Sequence, residues 1–215
     1  MTKKDFILSV AIGTAVGFLV QPVISNFSEE IVNATGASLI AMRFVAFFLF
    51  LFGAPAALFI AAYIGRSVRI VYQFAKFVSV GTLNSMIDLG VLNLETFLWG
   101  VLPGPTTFAV FKGISFLAST TNSFFWNKYW TFEASAKPRA DEVTKFYVVA
   151  ILGGFLNIAV ATAVRTVGGN VIPSQNVLVN IVAPFSGIFT VFLWNFLGYK
   201  YIVFKTKSEA TPLDR

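Results

Sequence analysis

The polar residues that could do chemistry are few, and they lie within long apolar runs. Asn84, Asp88 and Glu95 fall within about 40° of one another on a helix that turns about 100° per residue, so they form one polar stripe. Asp88 is central in an apolar run long enough to cross a membrane, where an Asp costs roughly 2.5–3.5 kcal/mol. Because such a carboxylate rarely faces lipid, we predict that Asp88 faces a polar cavity lined by protein.

A second polar stripe lies in the next apolar run of the chain. Ser115, Ser119 and Asn122 are spaced so that they share one helix face, and Asn157 takes the position of Asp88 in a later segment of similar sequence. We predict that these stripes converge on one cavity, with Asn122 and Asn157 among its binding residues. The alternative is that the Ser and Asn side chains only bridge neighbouring helices.

Charged residues also occur near the opposite ends of the apolar runs. Arg43, Glu95 and Lys112 lie at a similar depth inside their runs, and Arg165 lies just beyond the end of its run. Opposite charges at one depth favour pairing, so Arg43, Lys112 and Arg165 are predicted to form an outer polar cluster. Long basic side chains that extend to the membrane surface explain the same three residues without a function.

Several classes of chemistry lack the residues that they need. The chain has no His and no Cys, which excludes a thiolate nucleophile, a Ser-His-Asp triad and a zinc site of the usual nitrogen and sulfur ligands. It also lacks an Asp-x-Asp pair and a glycine-rich loop followed by Lys-Ser or Lys-Thr. The longest polar stretch, Glu133–Lys145, is too short for a catalytic domain. We therefore expect no enzyme activity, no metal and no cofactor.

The elements that position these residues are predicted to be membrane-spanning helices. The chain is 56% hydrophobic and 12% charged, with a mean hydropathy of +0.76, whereas soluble proteins average roughly 25% charged residues. Runs near the ~20 residues that a helix needs to cross the hydrocarbon occur six times. They are Phe6–Ile24, Leu39–Ile64, Phe77–Trp99, Thr107–Phe125, Phe146–Val164 and Val177–Phe196.

The distribution of basic residues predicts the orientation of these spans. When Lys and Arg are assigned to alternate sides, 13 of the 16 fall on the side of both termini. Since basic residues favour the cytoplasmic side, both termini are predicted to be cytoplasmic in a multi-pass protein of the cytoplasmic (inner) membrane. The net charge of +6 is explained by this orientation and by attraction to anionic lipids, so no nucleic-acid partner is expected. Aromatic residues at span ends are predicted interface anchors: Trp99, Trp126, Tyr129, Trp130 and Tyr201.

The sequence contains an internal repeat. Lys76–Asp88 opens one helical hairpin and Lys145–Asn157 opens a second in the same register, while Phe124–Phe132 and Phe196–Phe204 close them alike. Each hairpin crosses twice, so the two form a parallel repeat. The predicted fold is all-α and integral to the membrane, with six transmembrane helices: a four-helix core of two parallel-repeat hairpins plus an N-terminal hairpin. The predicted domains are 1–72, 73–206 and a cytoplasmic tail, 207–215.

Three motifs of the repeat carry a resemblance to a known family. The Phe-x-x-x-Gly-x-x-Asn opening at Phe77–Asn84, the closure Asn127–Phe132 and the second closure Lys200–Phe204 occur in the order seen in GtrA-like membrane proteins. The chain differs from the pattern in having Lys128 where Arg is usual and Gly198-Tyr199 where the second closure often carries Asn. The resemblance covers about two-thirds of the chain.

The resemblance implies translocation of a polyprenyl-phosphate-linked monosaccharide for glycosylation of cell-envelope polysaccharide. The alternative is a non-transporting scaffold or accessory subunit of a polyprenyl-phosphate glycosyltransferase, and a proton-driven exporter using Asp88 or Glu95 is a third hypothesis. The expected partners are the lipid-linked sugar, membrane lipids and, under the alternative, a membrane glycosyltransferase, with homo-oligomers left open. Lys128 and Lys200 are the repeat-related cations that would form a paired site for the lipid phosphate, although any cytoplasmic helix end favours Lys.

Overall fold

The computed structural model describes residues 1–26, 32–33, 36–99, 104–134, 136–169, 171–172, 178 and 182–204. The predicted tail 207–215 and much of residues 177–181, where the last predicted span begins, lie outside the described residues. In chain order the helices are α1 (Lys3–Leu19), α2 (Gln21–Asn26), α3 (Leu39–Ile64), α4 (Arg69–Trp99), α5 (Pro105–Trp126), π1 (Asn127–Thr131), α6 (Ala140–Gly168), α7 (Ala183–Gly198) and π2 (Tyr199–Val203).

The described part of the protein is all-helical, as the sequence predicted, and the chain is a membrane protein. Three segments are long and apolar enough to cross a membrane, namely Leu39–Ile64, Arg69–Thr96 and Ala140–Gly168. Six crossings stay a prediction, because α1, α5 and α7 are not among these three segments; α1 is 17 residues long and the described part of α7 is 16. A turn at Val20 separates α1 from α2, so the first predicted span is two helices.

Two helices begin earlier than the hydrophobic runs that predicted them. α4 begins at Arg69 rather than Phe77, and α6 begins at Ala140 rather than Phe146. The physical reason is that hydropathy marks the hydrocarbon thickness, whereas backbone hydrogen bonding continues through polar residues beyond it. The extra turns of α4 place Tyr72 and Lys76 on the same rigid element as Asp88.

Residues Met1–Glu133 form one compact unit. Within it α1 packs on α3, both pack on α4, and α4 packs on α5 and π1. Its buried core consists of Ile12, Val16, Leu58, Val80, Leu83 and Trp130. Gly17 of α1 lies so close to α3 that an added Cβ would be 2.9 Å from the Phe47 ring, so a small residue is what allows these two helices to meet.

Residues Ala134–Arg215 form the second compact unit, in which α6 packs along α7. Glycines on both helices allow the close approach. An added Cβ on Gly153 would be 2.6 Å from Asn195 Oδ1, and one on Gly187 would be 2.8 Å from the Asn157 carbonyl oxygen. The ring of Phe146 stacks on Tyr199 with 4.0 Å between centroids, which closes the core at the start of π2.

The two closures of the sequence repeat have the same backbone structure. In π1 the Phe132 N–H donates to the Asn127 carbonyl at 2.8 Å, and in π2 the Phe204 N–H donates to the Tyr199 carbonyl at 2.8 Å. Both bonds span five residues, which defines a π-helix and is rare in proteins. The repeat is therefore present in local structure, while the parallel arrangement of the two hairpins stays a prediction.

Candidate functional site

The polar stripes predicted for the third and fourth spans contact each other between α4 and α5. Asp88 forms an ion pair with Lys112, and the Ser115 hydroxyl donates to the other Asp88 carboxylate oxygen at 2.7 Å. Ser115 is fully buried, whereas the Asp88 and Lys112 side chains are 24% and 46% exposed. The carboxylate thus has a cation and a hydroxyl as its partners, on a helix apolar enough to cross a membrane.

A second polar contact joins the same two helices about one helical turn away along α4. The Asn122 side-chain amide donates to the Asn84 side-chain carbonyl at 2.7 Å. Together the two contacts form a short polar ladder between the helices. This arrangement supplies amide and carboxylate groups in apolar surroundings, which is what hydroxyl recognition requires. It equally fits the interpretation that polar side chains bridge neighbouring helices.

Glu95 lies about two turns beyond Asp88 on α4, on the predicted stripe. Its Oε2 atom is buried and accepts no hydrogen bond within the part of the chain that the structure describes. Lys112, which the depth argument placed beside Glu95, instead reaches Asp88. The reason is that a long Lys side chain spans more than one helical turn, so depth at the Cα does not fix its partner.

Within the first unit, no hydrogen bond or ion pair among the described residues joins Arg43 to Lys112, two members of the predicted outer polar cluster. Arg43 donates from Nη2 to the Ser25 hydroxyl at 2.5 Å, and its backbone carbonyl accepts from Gln21 Nε2 at 3.3 Å. Arg165 is exposed in the last turn of α6, in the second unit. The grouping of Arg43, Lys112 and Arg165 therefore stays a prediction.

Asn157, the counterpart of Asp88, packs tightly in the second unit. Its side-chain oxygen and backbone oxygen both lie against Gly187 of α7. Gly187 and Ser115 each stand thirteen residues before the closing lysine of their hairpin, so the Asn157–Gly187 contact corresponds to the Asp88–Ser115 contact. The two halves use the same positions differently: the first carries a hydrogen bond between two side chains, and the second a close helix crossing.

The closing lysines occupy equivalent places in π1 and π2 with different exposure. Lys128 is 1% exposed with Nζ 5.9 Å from the Tyr129 ring centroid, while Lys200 is partly exposed with Nζ 5.3 Å from the Tyr201 ring. Lys128 is therefore buried, although the sequence predicted it at the surface. The wider π-helical turn buries most of π1, since Asn127, Lys128, Trp130 and Thr131 are all buried. Phosphate binding by these lysines stays a prediction.

The burial of π1 also shows that one predicted interface anchor, Trp130, is not at the surface. Trp130 is 2% exposed and belongs to the core, whereas Tyr129 and Tyr201 are 40% and 50% exposed, and their role as anchors stays a prediction. Two polar atoms of π1, Asn127 Oδ1 and Thr131 Oγ1, are buried without a hydrogen-bond partner among the described residues. A helix with ordinary periodicity would have turned some of these residues outward.

A buried carboxylate near the N-terminus was not anticipated from sequence. Asp5 is 3% exposed and accepts hydrogen bonds from Tyr72 Oη at 2.8 Å and Trp130 Nε1 at 2.8 Å, with Lys76 Nζ also at 2.8 Å. Lys76 also pairs with Glu133 at 3.0 Å. We call Asp5, Tyr72, Lys76, Trp130 and Glu133 the Asp5 cluster. The Thr2-x-x-Asp5 capping box was the available signal, since it fixes where Asp5 points.

The electrostatics of the Asp5 cluster favour the charged carboxylate. Burial alone would raise the pKa of Asp5, but the hydrogen bonds from Lys76, Thr2, Tyr72 and Trp130 outweigh it and hold the pKa well below its usual range. The carboxylate is therefore ionised at any physiological pH. It binds α1, α4 and π1 together within the first unit. No group of three or more acidic residues among the described positions could hold a metal ion.

Comparison with known proteins places the two hairpins in a family. The sequence model described as GtrA/DPMS, transmembrane domain, matches residues 76–204, more than half of the chain. The chain belongs to the GtrA/DPMS transmembrane-domain family. It is also 26% identical over 146 residues to a protein from Bacillus subtilis (strain 168) named "Uncharacterized membrane protein YngA", covering 66% of this chain and 88% of that protein. No solved structure matches the chain.

The limits of the GtrA/DPMS domain coincide with structural features. The match begins at Lys76, the cation of the Asp5 cluster, and ends at Phe204, which closes π2. Helices α1, α2 and α3 lie outside the match, yet Asp5 of α1 supplies the buried counter-ion of the first matched residue. The match over residues 76–204 confirms the family resemblance inferred from the motifs.

Proposed function

We propose that this member of the GtrA/DPMS family translocates a polyprenyl-phosphate-linked monosaccharide across the cytoplasmic membrane, for glycosylation of cell-envelope polysaccharide. The observation that supports it most is the Asp88–Lys112–Ser115 contact between α4 and α5. An ion pair at membrane depth is expensive unless a function or close packing compensates it. A sugar that must cross the hydrocarbon needs polar partners at that depth.

The polar ladder offers groups to which sugar hydroxyls can form hydrogen bonds. Asp88 accepts hydrogen bonds, while the amides of Asn84 and Asn122 both donate and accept. Sugar hydroxyls can replace the Ser115 hydroxyl on Asp88 and enter the Asn84–Asn122 contact without leaving a charge unpaired, because Lys112 continues to neutralise Asp88. The role proposed for the protein is therefore binding and passage, with no covalent step.

The phosphate of the carrier is proposed to bind at the cytoplasmic end of the hairpins. Lys200 is partly exposed next to the exposed Tyr201, so it is the lysine of the pair that is placed to reach a headgroup. Lys200→Glu should weaken binding of a polyprenyl-phosphate sugar, whereas Lys137→Glu, at an exposed position outside the helices, should not. Lys128→Glu is a poorer test, because it would bury a carboxylate in π1, where Lys128 is 1% exposed.

The proposal includes six crossings with both termini in the cytoplasm. Since the chain has no Cys, single cysteines report accessibility without a background. Cysteines at Ser28 and Ser174 should react with an impermeant reagent from outside, and one at Ser208 should not. All three positions lie outside the described residues. External labelling at Ser208 would refute this orientation.

The deciding experiment is a flipping assay in proteoliposomes. Purified protein is reconstituted with a short-chain polyprenyl-phosphate sugar, and movement of the sugar between leaflets is followed by its exposure to an impermeant oxidant. Asp88→Ala should abolish movement and Asp88→Asn should reduce it. Asn93→Ala is the matched control, since Asn93 is exposed on the same helix and its side-chain amide donates to the Leu89 carbonyl of that helix. Normal flipping by Asp88→Ala would overturn the proposal.

A non-transporting scaffold for a glycosyltransferase is the second candidate. It is favoured by the fact that four polar side chains of α4 and α5 find partners within the helix pair: Asp88 with Lys112 and Asn84 with Asn122. Under this hypothesis proteoliposomes show no flipping, while a glycosyltransferase purified from the same membranes gains activity when the protein is added. Asp88→Ala would then lower protein stability without a separate effect on transport.

A further inference from the structure

A groove with one cation at its rim runs between α1, α2 and α3, outside the matched domain. Its volume is about 450 Å³, and its walls include Phe18, Gln21, Arg43, Phe44, Phe47 and Phe48. Phe18 and Phe47 meet edge to face with 4.9 Å between ring centroids. Because these residues precede residue 76, neither the family match nor the proposed translocation assigns a role to this groove.

The groove continues as an aromatic strip along α3. The rings of Phe44 and Phe48 stack with centroids 6.4 Å apart, and those of Phe48 and Phe52 with centroids 5.9 Å apart, both pairs nearly parallel. Phe44, Phe48 and Phe52 are 61%, 46% and 64% exposed. Eight residues of helix span about 12 Å, so the strip offers a continuous apolar surface for one extended hydrocarbon chain.

Arg43 gives the groove its charge. It lies about one turn inside α3, a segment apolar enough to cross a membrane, and its guanidinium is exposed. Ser25 accepts one of its five N–H groups at 2.5 Å, and no carboxylate among the described residues pairs with it. A cation at this depth requires an anion, and the phosphate of a lipid headgroup is the anion that a membrane supplies. Guanidinium groups match phosphate oxygens in a bidentate manner.

We propose that this groove binds one anionic glycerophospholipid, with its phosphate on Arg43 and one acyl chain along Phe44, Phe48 and Phe52. The charge of the site is complementary to a single phosphate monoanion, since the groove presents one guanidinium and the neutral amide of Gln21. The lipid would then serve as a resident counter-ion that allows Arg43 to stay at this depth. The proposal is independent of the proposed function, because it concerns α1, α2 and α3.

Native mass spectrometry of the purified full chain tests the proposal. The protein is stripped of lipid in a neutral detergent and titrated with phosphatidylglycerol or with phosphatidylcholine of the same acyl chains. The wild type should bind phosphatidylglycerol more tightly, and Arg43→Gln should lose that preference, by about tenfold in affinity for the loss of one charge-assisted contact. Arg43→Lys should keep part of it, because the charge stays while the bidentate geometry is lost.

Two matched controls separate the groove from general attraction. Arg66→Gln removes an exposed arginine just beyond the other end of α3, and Phe59→Ala removes an exposed ring of α3 outside the groove. Neither should change lipid preference, whereas Phe48→Ala should weaken binding of both lipids.

Four results would overturn the assignment: equal binding of the two lipids by the wild type, an unchanged preference in Arg43→Gln, an equal loss in Arg66→Gln, or tighter binding of a polyprenyl phosphate that displaces phosphatidylglycerol. Circular dichroism of each variant checks that the helices are retained. If Arg43→Gln loses helix, the test becomes the lipid preference of Arg43→Lys compared with that of the wild type, and an unchanged preference would overturn the assignment.

Discussion

The Lys76 ammonium lies 2.8 Å from the Asp5 carboxylate, and the two side chains are only 3% and 4% exposed. This buried ion pair joins α1 to α4 at the first residue of the GtrA/DPMS domain. Burying two charges is costly, so the pair is tolerated because Tyr72 and Trp130 supply further hydrogen bonds to the carboxylate. The N-terminal helix is thereby a structural part of the first unit.

Removing the Asp5 carboxylate should destabilise the protein strongly. Asp5→Ala leaves the Lys76 charge buried with the exposed carboxylate of Glu133 as its one ion-pair partner among the described residues, and breaking a buried pair typically costs about 3–5 kcal/mol. Unfolding in detergent micelles, followed by circular dichroism, measures the loss. Asp141→Ala is the control, since its ion pair with Arg139 is exposed and should contribute little. Equal effects of the two substitutions would contradict the importance of burial.

Stability should depend on pH through Asp5. Because the pKa of this carboxyl is lowered in the folded protein, its contribution is fully present above the unfolded pKa of about 3.9 and is lost as pH falls below that value. Unfolding measured at a series of acidic pH values should show this decline. Asp5→Asn should be less stable near neutral pH, but its free energy of unfolding should fall less steeply as the pH is lowered. If the free energy of unfolding of both proteins falls equally at acidic pH, other carboxylates account for the pH dependence.

Neighbouring glycines in α6 should respond in opposite directions to alanine. At Gly153 an added Cβ would be 2.6 Å from Asn195 Oδ1 and 2.8 Å from a Val191 methyl, so Gly153→Ala should cost about 1–3 kcal/mol. At Gly154 nothing lies within 4 Å, and alanine should stabilise the helix by up to about 1 kcal/mol. Thermal unfolding of the two variants, identical in composition, gives the comparison. Destabilisation by both would argue against the described α6–α7 contact.

The contact between Asp88 and Lys112 should appear as coupling in a double-mutant cycle. Asp88→Asn and Lys112→Met each remove one charge, and the double variant should lose less stability than the two single losses combined. Because both side chains are partly exposed, the coupling should be about 1 kcal/mol rather than the larger value of a fully buried pair. Additive losses in unfolding measurements would show that the two side chains do not interact.

Helical periodicity predicted much of the candidate site. Asn84 and Asp88 were expected to share a face, as were Ser115 and Asn122, and the structure brings these four side chains together in two contacts. Periodicity succeeds here because the residues lie in regular α-helix, where side-chain direction follows from residue number. The partner of Lys112 was not predictable, since a flexible chain of four methylenes reaches several depths.

The features that sequence reasoning missed depend on irregular backbone or on distant parts of the chain. Lys128 and Trp130 were expected at the membrane surface, but the π-helical turn buries them. Asp5 resembles any polar residue that precedes a span, and its partners Tyr72 and Trp130 follow more than sixty residues later. Such contacts follow from packing, which composition and spacing do not encode.

The glycine contacts between α6 and α7 have a mechanical consequence. Where backbone contacts backbone, as at Gly187 and Asn157, two helices cannot slide or rotate without a steric clash. The α6–α7 hairpin should therefore move only as a rigid body. The α4–α5 hairpin is instead held by the Asp88–Lys112 ion pair and the Asn84–Asn122 amide contact, which can exchange partners over small displacements. Any opening of the membrane region is therefore expected to begin as a shear between α4 and α5.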